Sequence, residues 1–261
     1  MIGVRTLASD ALRLQGVGRT FGGIHAVRDV ALSVAHGERR AVIGPNGAGK
    51  TTLFNLIAGD DLPTSGAVVL FGEDVTRLAP RHRARRGLTR TYQTAHLFGG
   101  LTTLENLFLA VRGVAPRRMS MLRPRPDDAY LARARDLAAQ VGLERVLHTK
   151  VGALSHGEQR QLELAMALAG RPRLIMLDEP AAGLSPGERV RLTELLLGLE
   201  RSITLLLIEH DMDVALRIAQ VVTVMHNGSV IAVGTPDEIR ASQLVHELYL
   251  GMGTPLEGRH A

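Results

Sequence analysis

The chain has 261 residues and no cysteine, 45% of its residues are hydrophobic, and its formal net charge is +5. A chain of this size and composition can bury a substantial core, which excludes intrinsic disorder. The absence of cysteine excludes a disulfide framework and thiolate metal sites. The basic balance allows nucleic acid, anionic lipid or ATP as a ligand, but 3% aromatic residues and no tryptophan argue against stacking platforms, so we expect no nucleic-acid partner.

The sequence also limits how the protein could meet a membrane. The N-terminal stretch lacks the charged and apolar regions of a secretion signal, and no apolar run is long enough to span a bilayer. The absence of cysteine suits a reducing cytoplasm. If the protein works at a membrane, we expect a partner to supply the membrane spans.

The first predicted elements are antiparallel strands that begin at residue 12 and lead into the strand that precedes residue 44. Apolar and polar residues alternate in short segments that are separated by glycines. The apolar run 41–43 follows these segments. Phe21 falls between two of these strands and could stack on an adenine ring. A core or turn position for Phe21 explains the pattern nearly as well.

A phosphate-binding loop follows, since residues 44–52 read GPNGAGKTT between a predicted strand and a predicted helix at 51–58. That context is the one the P-loop pattern requires. Its glycines let backbone amides cradle phosphates, Lys50 reaches the β- and γ-phosphates, and Thr51 is placed to ligate Mg²⁺. The predicted nucleotide-binding residues of this loop are Gly44, Pro45, Asn46, Gly47, Ala48, Gly49, Lys50, Thr51 and Thr52.

The middle of the chain changes from strand to helix patterns. Residues 67–72 indicate another strand, whereas residues 102–170 are mostly helical and begin at a Thr102–Glu105 capping box. Two basic stretches, 77–90 and 112–126, are expected to form a solvated basic face, and the second is expected to be a surface loop. Gln93 lies at the change of pattern, where its amide could reach a metal or the attacking water; alone it would be an ordinary loop residue.

A second phosphate-seeking feature is the segment LSHGEQ at 154–159. Ser155 and Glu158 form a capping-box pattern, and Gly157 allows a close backbone approach at the predicted helix start. Free amides at that start, together with the helix dipole, attract an anion. The chain therefore carries two such features, of which the P-loop is the stronger.

Carboxylates follow the buried strand predicted at 174–178. Asp178 ends this strand and Glu179 comes next, so both fall at the carboxyl edge of the sheet beside the P-loop. There Asp178 could hold Mg²⁺ and Glu179 could act as the general base for an attacking water, although a strand-end carboxylate is often only a turn cap. His210 follows the strand predicted at 204–209 and could hydrogen-bond the γ-phosphate, although a lone histidine there is more often structural.

The last part of the chain has strong local signals. A helix is predicted from 186 to about 200 and another from 236, each with a Ser or Thr cap, a proline and an acidic third position. Asn227 and Gly228 separate two strand-like runs, which predicts a hairpin. Together these elements predict an α/β fold with a mainly parallel sheet, an N-terminal antiparallel β subdomain and an inserted helical subdomain.

In their order along the chain, GPNGAGKTT, Gln93, LSHGEQ, LIMLDEP, AAGLS and His210 resemble the nucleotide-binding subunit of ATP-binding-cassette (ABC) transporters. The resemblance covers nearly the whole chain and implies a P-loop NTPase core of the RecA-like type. It implies one ABC ATPase domain over 11–261. The α/β core would comprise 11–93 and 170–235, the helical subdomain 94–169 and a helical tail 236–261.

The resemblance assigns roles to the motif residues. ATP and Mg²⁺ are the implied cofactors, with Thr51, Gln93 and Asp178 at the metal and Glu179, His210 and Gln93 in catalysis. In this family two subunits pair head to tail, so the segment Ser155, His156, Gly157 and Glu158 would close over the ATP of the other subunit. The chain departs from the usual LSGGQ by carrying His156 for the first glycine and Glu158 before the glutamine.

Further segments, RTFGGIHAV, DEPAAGLSP, IEHDM and ELYLG, resemble the ATPases of branched-chain amino acid importers. That resemblance implies a second ATPase subunit, identical or different, membrane permeases and an external solute-binding protein, at the cytoplasmic face of the membrane. Residues 93–106 would form the permease-docking surface, and the charge of 112–126 suggests that it faces the membrane. The sequence leaves open a urea importer, a lipopolysaccharide exporter, a soluble ABC ATPase on ribosomes or DNA, and a nucleotide-binding regulator, against which Glu179 argues.

Overall fold

The computed structural model describes residues 10–91, 97–114 and 127–250. Its strands are β1 Leu12–Phe21, β2 Ile24–Val34, β3 Arg39–Ile43, β4 Ser65–Leu70, β5 Glu73–Asp74, β6 Leu88–Arg90, β7 Leu174–Asp178, β8 Thr204–Ile208, β9 Val221–His226 and β10 Ser229–Gly234. Its helices are α1 Lys50–Ala58, α2 Pro80–Ala84, α3 Thr103–Val114, α4 Asp127–Gln140, α5 His156–Leu168, α6 Pro186–Gly198, α7 Met212–Ile218, α8 Pro236–Ala241 and α9 Gln243–Leu250.

Two sheets organise these elements. Antiparallel pairing gives the order β2-β1-β4-β5 in the first sheet, and the second has the order β10-β9-β3-β8-β7-β6. In the second sheet all pairs are parallel except the β9–β10 hairpin. The α/β class, the mainly parallel sheet and the N-terminal antiparallel sheet are therefore confirmed.

The parallel sheet is covered on both faces, which explains its continuous apolar strands. Every residue of β7 and β8 is buried. Side chains on one face pack with α1 and the antiparallel sheet, and those on the other face pack with α3 to α7. Because successive side chains of a strand point to opposite faces, two separate apolar cores meet along this sheet.

Local signals set most element boundaries. Thr102 and Glu105 exchange capping hydrogen bonds before α3, with Thr102 N–H donating to Glu105 Oε2 at 2.7 Å. Capping boxes also start α5, α6 and α8. Asn227 and Gly228 both have a positive φ, 46° and 82°, as the tight turn of the β9–β10 hairpin requires. Within the described ranges no helix has the length and apolarity needed to cross a bilayer.

The expectation that residues 77–90 form a solvated basic face is wrong for two of its arginines. Arg83 is fully buried, and the side chain of Arg90 is only 6% exposed. The stretch folds into α2 and β6, which the sequence did not predict. Both arginines are buried because they have specific acceptors in distant parts of the chain.

Arg83 caps the C-terminus of α1, the helix that follows the P-loop. Its Nη1 donates to the carbonyls of Leu56 at 2.6 Å and Ile57 at 2.8 Å, and its Nε and Nη2 donate to those of Leu78 and Thr76. Carbonyls in the last turn of a helix lack intrahelical partners and favour a cation. Burial lowers the pKa of Arg83 to about 10, so the guanidinium is still charged at neutral pH.

We expect Arg83→Ala to lower the free energy of unfolding by about 3–5 kcal/mol, because it leaves a cavity and unpaired buried carbonyls. Urea denaturation measures this loss. Arg85→Ala is the matched control, since Arg85 is exposed and should change stability by less than about 0.5 kcal/mol. Equal stability of the two variants would show that Arg83 does not hold α1 in place.

Candidate active site

The P-loop connects β3 to α1, and its glycines are required by shape. Gly44 has φ 149° and Gly49 has φ 95°, in a region that other residues rarely adopt. A Cβ at Gly44 would collide with the carbonyl of Met225, and one at Gly49 with that of Ala26. The Gly228 amide also donates to the Ala48 carbonyl at 3.0 Å, so the β9–β10 turn supports the loop from behind.

Lys50 lies inside this loop rather than in solvent. The residue is 5% exposed, and its Nζ donates to the carbonyls of Gly44 at 2.6 Å and Pro45 at 2.9 Å. Burial lowers the pKa of the Lys50 ammonium, and the nearby charges of Glu179 and Asp178 act to raise it. The structure thus brings Lys50 together with Asp178 and Glu179, the two carboxylates at the end of β7.

Asp178 offers one free carboxylate oxygen. Its Oδ2 accepts from Arg90 Nη2 at 3.0 Å, whereas its buried Oδ1 has no hydrogen-bond partner among the described residues. Burial raises the pKa of Asp178, and the hydrogen bond and charge of Arg90 oppose that change. A buried carboxylate oxygen without a hydrogen-bond partner is available to coordinate a cation, and the exposed hydroxyl of Thr51 could supply a second metal ligand.

These two oxygen ligands suit Mg²⁺ better than a metal that takes all of its ligands from the protein. No cluster of three or more histidine or acidic side chains fit for a metal occurs in the described part of the chain. Mg²⁺ is usually held by one or two protein ligands together with phosphate oxygens and waters. Gln93, the other predicted metal residue, lies at 92–96, outside the described residues.

Arg90 is a residue of this site that the sequence reasoning missed. Besides Asp178, its guanidinium donates to Asn55 Oδ1 at 2.7 Å and to Asp60 Oδ2 at 2.9 Å. It therefore ties the end of β7 to the C-terminal end of α1. The only sequence signal was its place in a basic stretch, which indicated a surface position instead.

Glu179 and His210 form a close pair at the same sheet edge. His210 Nε2 and Glu179 Oε1 are 2.6 Å apart, and both side chains are partly exposed. Glu179 has φ 50°, which is strained for a residue with a side chain and is typical of functional sites. A carboxylate oriented by an imidazole in this way can accept a proton from a water molecule.

Glu209 is a buried carboxyl at the end of the strand predicted at 204–209, and the sequence indicated no further role for it. It is 3% exposed, and one oxygen accepts from the Ala181 amide at 2.8 Å. Burial raises the pKa of Glu209 to about 7, although backbone hydrogen bonds from Ala181, His210 and Asp211 oppose the rise. Glu209 therefore holds the loop after Glu179 against the loop that carries His210.

The raised pKa of Glu209 makes a pH prediction. The folded protein binds a proton at Glu209 at pH values where the unfolded chain, with a pKa near 4.5, has lost it. The resulting stabilisation is complete below about pH 4.5 and is lost as the pH rises through about 7, by up to roughly 3 kcal/mol. We expect Glu209→Gln to remove this component, as denaturation at pH 5 and pH 8 would show. An unchanged pH dependence in the variant would contradict the assignment.

Phe21 ends β1 and is 44% exposed, with the Arg19 guanidinium 4.4 Å from its ring centroid. This exposure rules out the alternative of a core position. The hairpin that carries Phe21 continues into β2, whose Ala26 contacts the P-loop at Gly49. A ring in this position is available to stack on a base.

The LSHGEQ segment forms the N-terminus of α5, away from the P-loop. Ser155 Oγ accepts from the Glu158 amide at 3.2 Å, and Glu158 Oε2 accepts from the Ser155 amide at 2.8 Å. Ser155 and His156 are exposed. Together with α6 residues the segment lines a cleft of about 80 Å³ that contains no P-loop residue. The hydrogen bonds of Ser155 among the described residues all stay within the first turn of α5, and none reaches the chain's own P-loop.

Comparisons with known proteins agree with this arrangement. Residues 27–182 match the family described as ABC transporter. Over 94% of its length the chain is 40% identical to the high-affinity branched-chain amino acid transport ATP-binding protein BraF of Pseudomonas aeruginosa, covering 99% of that protein. It is 36% identical to the corresponding LivG protein of Escherichia coli, with the same coverage.

Solved structures of similar shape are also ATP-binding cassettes. The ADP conformation of MJ1267, a cassette of an ABC transporter, superposes with a TM-score of 0.83 at 30% identity, covering 93% of this chain and 99% of that one. A dimeric cassette, MJ0796 bound to ADP and Pi, superposes with a TM-score of 0.73 at 27% identity, covering 86% of this chain and 98% of that one.

Proposed function

The chain belongs to the ABC transporter family of ATP-binding subunits, and from this premise we propose that it powers the import of branched-chain amino acids or a similar small polar solute. It is an ATPase motor subunit. The observation that carries the proposal is the convergence of Lys50, the unpaired Asp178 oxygen and the Glu179–His210 pair at one sheet edge. Its relatives BraF and LivG, matched over 99% of their length, supply the solute class.

The chain's own residues have distinct tasks in binding ATP. The amides of residues 44–52 and the Lys50 ammonium hold the phosphates, and Phe21 stacks on the adenine. Asp178 Oδ1 and the Thr51 hydroxyl, with Gln93, would hold Mg²⁺, which neutralises charge on the β- and γ-phosphates when bound. Arg90 holds Asp178 through Oδ2, which leaves Oδ1 without a hydrogen-bond partner among the described residues and open to the metal.

Hydrolysis then depends on Glu179 and His210. Glu179 takes a proton from the water that attacks the γ-phosphorus, the bond to the β-phosphate oxygen breaks, and ADP and phosphate are the products. His210 holds the Glu179 carboxylate in place through their 2.6 Å contact, and we propose that it also hydrogen-bonds the γ-phosphate. The positive φ of Glu179 keeps its side chain at the sheet edge.

The second half of each site comes from a partner subunit. The N-terminus of α5, with Ser155, His156, Gly157 and Glu158, closes over ATP bound to the other subunit. This role is supported by its position in a cleft that excludes the P-loop and by the dimeric cassette of similar fold. ATP binding brings the subunits together, and hydrolysis separates them. The partner is either a second copy of this chain or a different ATPase subunit of the same transporter.

The remaining partners are two membrane permeases and, outside the membrane, a solute-binding protein, with this chain at the cytoplasmic face. The predicted docking surface at 93–106 and the basic loop at 112–126 both include residues outside those described. The packing of α3 against α4 and α5 supports a helical subdomain at 94–169. A core at 11–93 and 170–235 and a tail at 236–261 complete the proposed division. The alternative functions, those of a urea importer, a lipopolysaccharide exporter or a soluble ABC ATPase on ribosomes or DNA, are not favoured, because BraF and LivG are branched-chain amino acid transport proteins.

Co-purification of the chain with its membrane partners tests the proposed solute class. The complex is reconstituted in proteoliposomes with the binding protein, and ATP turnover is measured with leucine, isoleucine and valine, and with urea as the comparison solute. We expect severalfold stimulation by the branched-chain amino acids and none by urea. Stimulation by urea alone, or a complex without permeases, would overturn the proposal.

A further inference from the structure

Glu188 links the start of α5 to the start of α6. It is the N3 residue of α6, and its Oε2 accepts from the Ser185 amide at 2.9 Å and the Ser185 hydroxyl at 2.7 Å. Its other oxygen, Oε1, leaves its own helix and accepts from the Gly157 amide at 3.0 Å. One carboxylate therefore caps two helices, and its contact with Gly157 joins residues that are 31 positions apart in sequence.

This contact uses an amide that the α5 N-terminus would otherwise offer to a ligand. Of the first three amides of α5, that of Gly157 donates to Glu188 and that of Glu158 donates to Ser155 Oγ. Only the His156 amide has no partner among the described residues. A helix N-terminus binds anions through these groups, so the Glu188 carboxylate occupies part of the anion-binding capacity of α5.

The packing around Gly157 shows how closely this carboxylate fits. A Cβ at Gly157 would lie 2.6 Å from Glu188 Oε1 and 2.8 Å from its Cγ, so only glycine permits the contact. The hydrogen bonds from Ser185 and then Gly157 lower the pKa of Glu188, which keeps the carboxylate ionised at neutral pH. The α5 N-terminus thus already contains a negative charge supplied by the same chain.

We propose that Glu188 competes with the phosphate of the partner-bound ATP for the Gly157 amide, and that dimer closure requires the carboxylate to release this amide. The inference rests on the proposed role of α5 at the partner's nucleotide. Two negatively charged groups cannot share one amide donor at low cost, because a single N–H has one strong acceptor and like charges repel. Arg191 lines the same cleft and can pair with the released carboxylate.

The consequence is that Glu188 opposes dimer formation without touching the nucleotide in its own P-loop. It lies on α6, nine residues after Glu179, so the loop that carries the catalytic base also sets the position of this competitor. Removing the negative charge while keeping the shape should therefore favour the closed dimer. A purely structural cap would behave in the opposite way, because weakening it would loosen α5 and α6.

The test uses the Glu179→Gln chain, in which we expect the ATP-bound dimer to accumulate because ATP binds and is not hydrolysed. Analytical ultracentrifugation with saturating ATP gives the protein concentration at half-dimerisation for this chain and for chains that also carry Glu188→Gln. The matched control is Glu238→Gln, the same change in the capping box of α8. Binding of a fluorescent ATP analogue to dilute monomer serves as the second readout.

We expect Glu188→Gln to lower the half-dimerisation concentration by roughly threefold or more, with Glu238→Gln near the starting value and monomer affinity for ATP unchanged in both. If Glu188→Gln folds poorly, Glu188→Asp is measured instead. The aspartate retains a capping charge but has a shorter reach toward the Gly157 amide, so it should also lower the half-dimerisation concentration. An unchanged or raised half-dimerisation concentration in folded variants overturns the inference. If the Glu179→Gln chain forms no ATP-dependent dimer, either with itself or with the second ATPase subunit of its transporter, the proposed function itself fails.

Discussion

Glu179→Gln is expected to lower the rate of ATP hydrolysis by about 10²- to 10⁴-fold while ATP still binds. The amide that replaces the carboxylate cannot take a proton from water, whereas the P-loop and Lys50 are untouched. The 2.6 Å contact with His210 can persist through the amide oxygen, so the shape of the site is kept. Because ATP binds and is not consumed, the nucleotide-bound dimer accumulates.

Steady-state phosphate release, ATP-binding measurements and size-exclusion chromatography with ATP check the three parts of this expectation. Glu144→Gln provides a control at an exposed position and should behave as the unmodified chain. Hydrolysis by the Glu179→Gln chain at the normal rate would remove Glu179 as the general base. Loss of ATP binding would instead assign it a role in holding the nucleotide.

Ser155→Arg is expected to abolish hydrolysis while leaving the ATP affinity of the isolated subunit within about twofold of normal. Ser155 is exposed at the start of α5 and lines a cleft that has no P-loop residue in its lining, so we expect a bulky cation there to block closure over the other subunit's ATP. The change also removes the capping hydroxyl, which costs about 1 kcal/mol of stability.

Thr235→Arg controls for that loss, because Thr235 caps α8 in an equivalent capping box. This control should hydrolyse ATP normally at temperatures where both variants are folded. ATP affinity is measured on dilute monomer, and hydrolysis at protein concentrations that support dimers. A large loss of monomer affinity in Ser155→Arg would mean that Ser155 belongs to the chain's own site.

The parts of the fold that the sequence predicted correctly depend on short-range signals. The capping boxes at Ser155, Ser185 and Thr235 and the Asn227–Gly228 turn each involve residues within four positions. The buried strands β7 and β8 follow from their continuous apolar runs. The P-loop and the carboxylates at the end of β7 were predictable because their residue types and their order along the chain carry the signal.

The arginines that were wrongly expected at the surface show what could not be predicted. Arg83 is buried because carbonyls of α1, 26 and 27 residues earlier, accept its hydrogen bonds. Arg90 is buried because Asp178, 88 residues later, completes its ion pairs. Neither partner is visible in a local pattern, and an isolated arginine usually remains solvated.

Glu188 and Glu209 illustrate the same limit at the site. Each follows a pattern that was recognised, a helix cap for Glu188 and the end of a strand for Glu209. Their second contacts, with Gly157 and Ala181, exist only because α5 packs beside α6 and the two loops meet. The role of Gln93 is still a prediction, because it lies outside the described residues.

The central claim, that each active site is shared between two subunits, is tested most directly by mixing two inactive chains. Lys50→Ala disables a subunit's own P-loop, and Ser155→Arg disables the segment it lends to its partner. In a mixed dimer, one site combines the intact P-loop of the Ser155→Arg chain with the intact α5 start of the Lys50→Ala chain.

An equal mixture should therefore recover hydrolysis to about one quarter of the unmodified rate, because about half of the dimers are mixed and each has one intact site. The mixture is compared with each variant alone and with unmodified chain at the same total concentration, using the isolated subunit under conditions in which the unmodified chain dimerises with itself in ATP. Recovery in the mixture alone is the predicted result. A mixture that is no more active than its two components, under conditions where unmodified chain is active, would contradict a shared site.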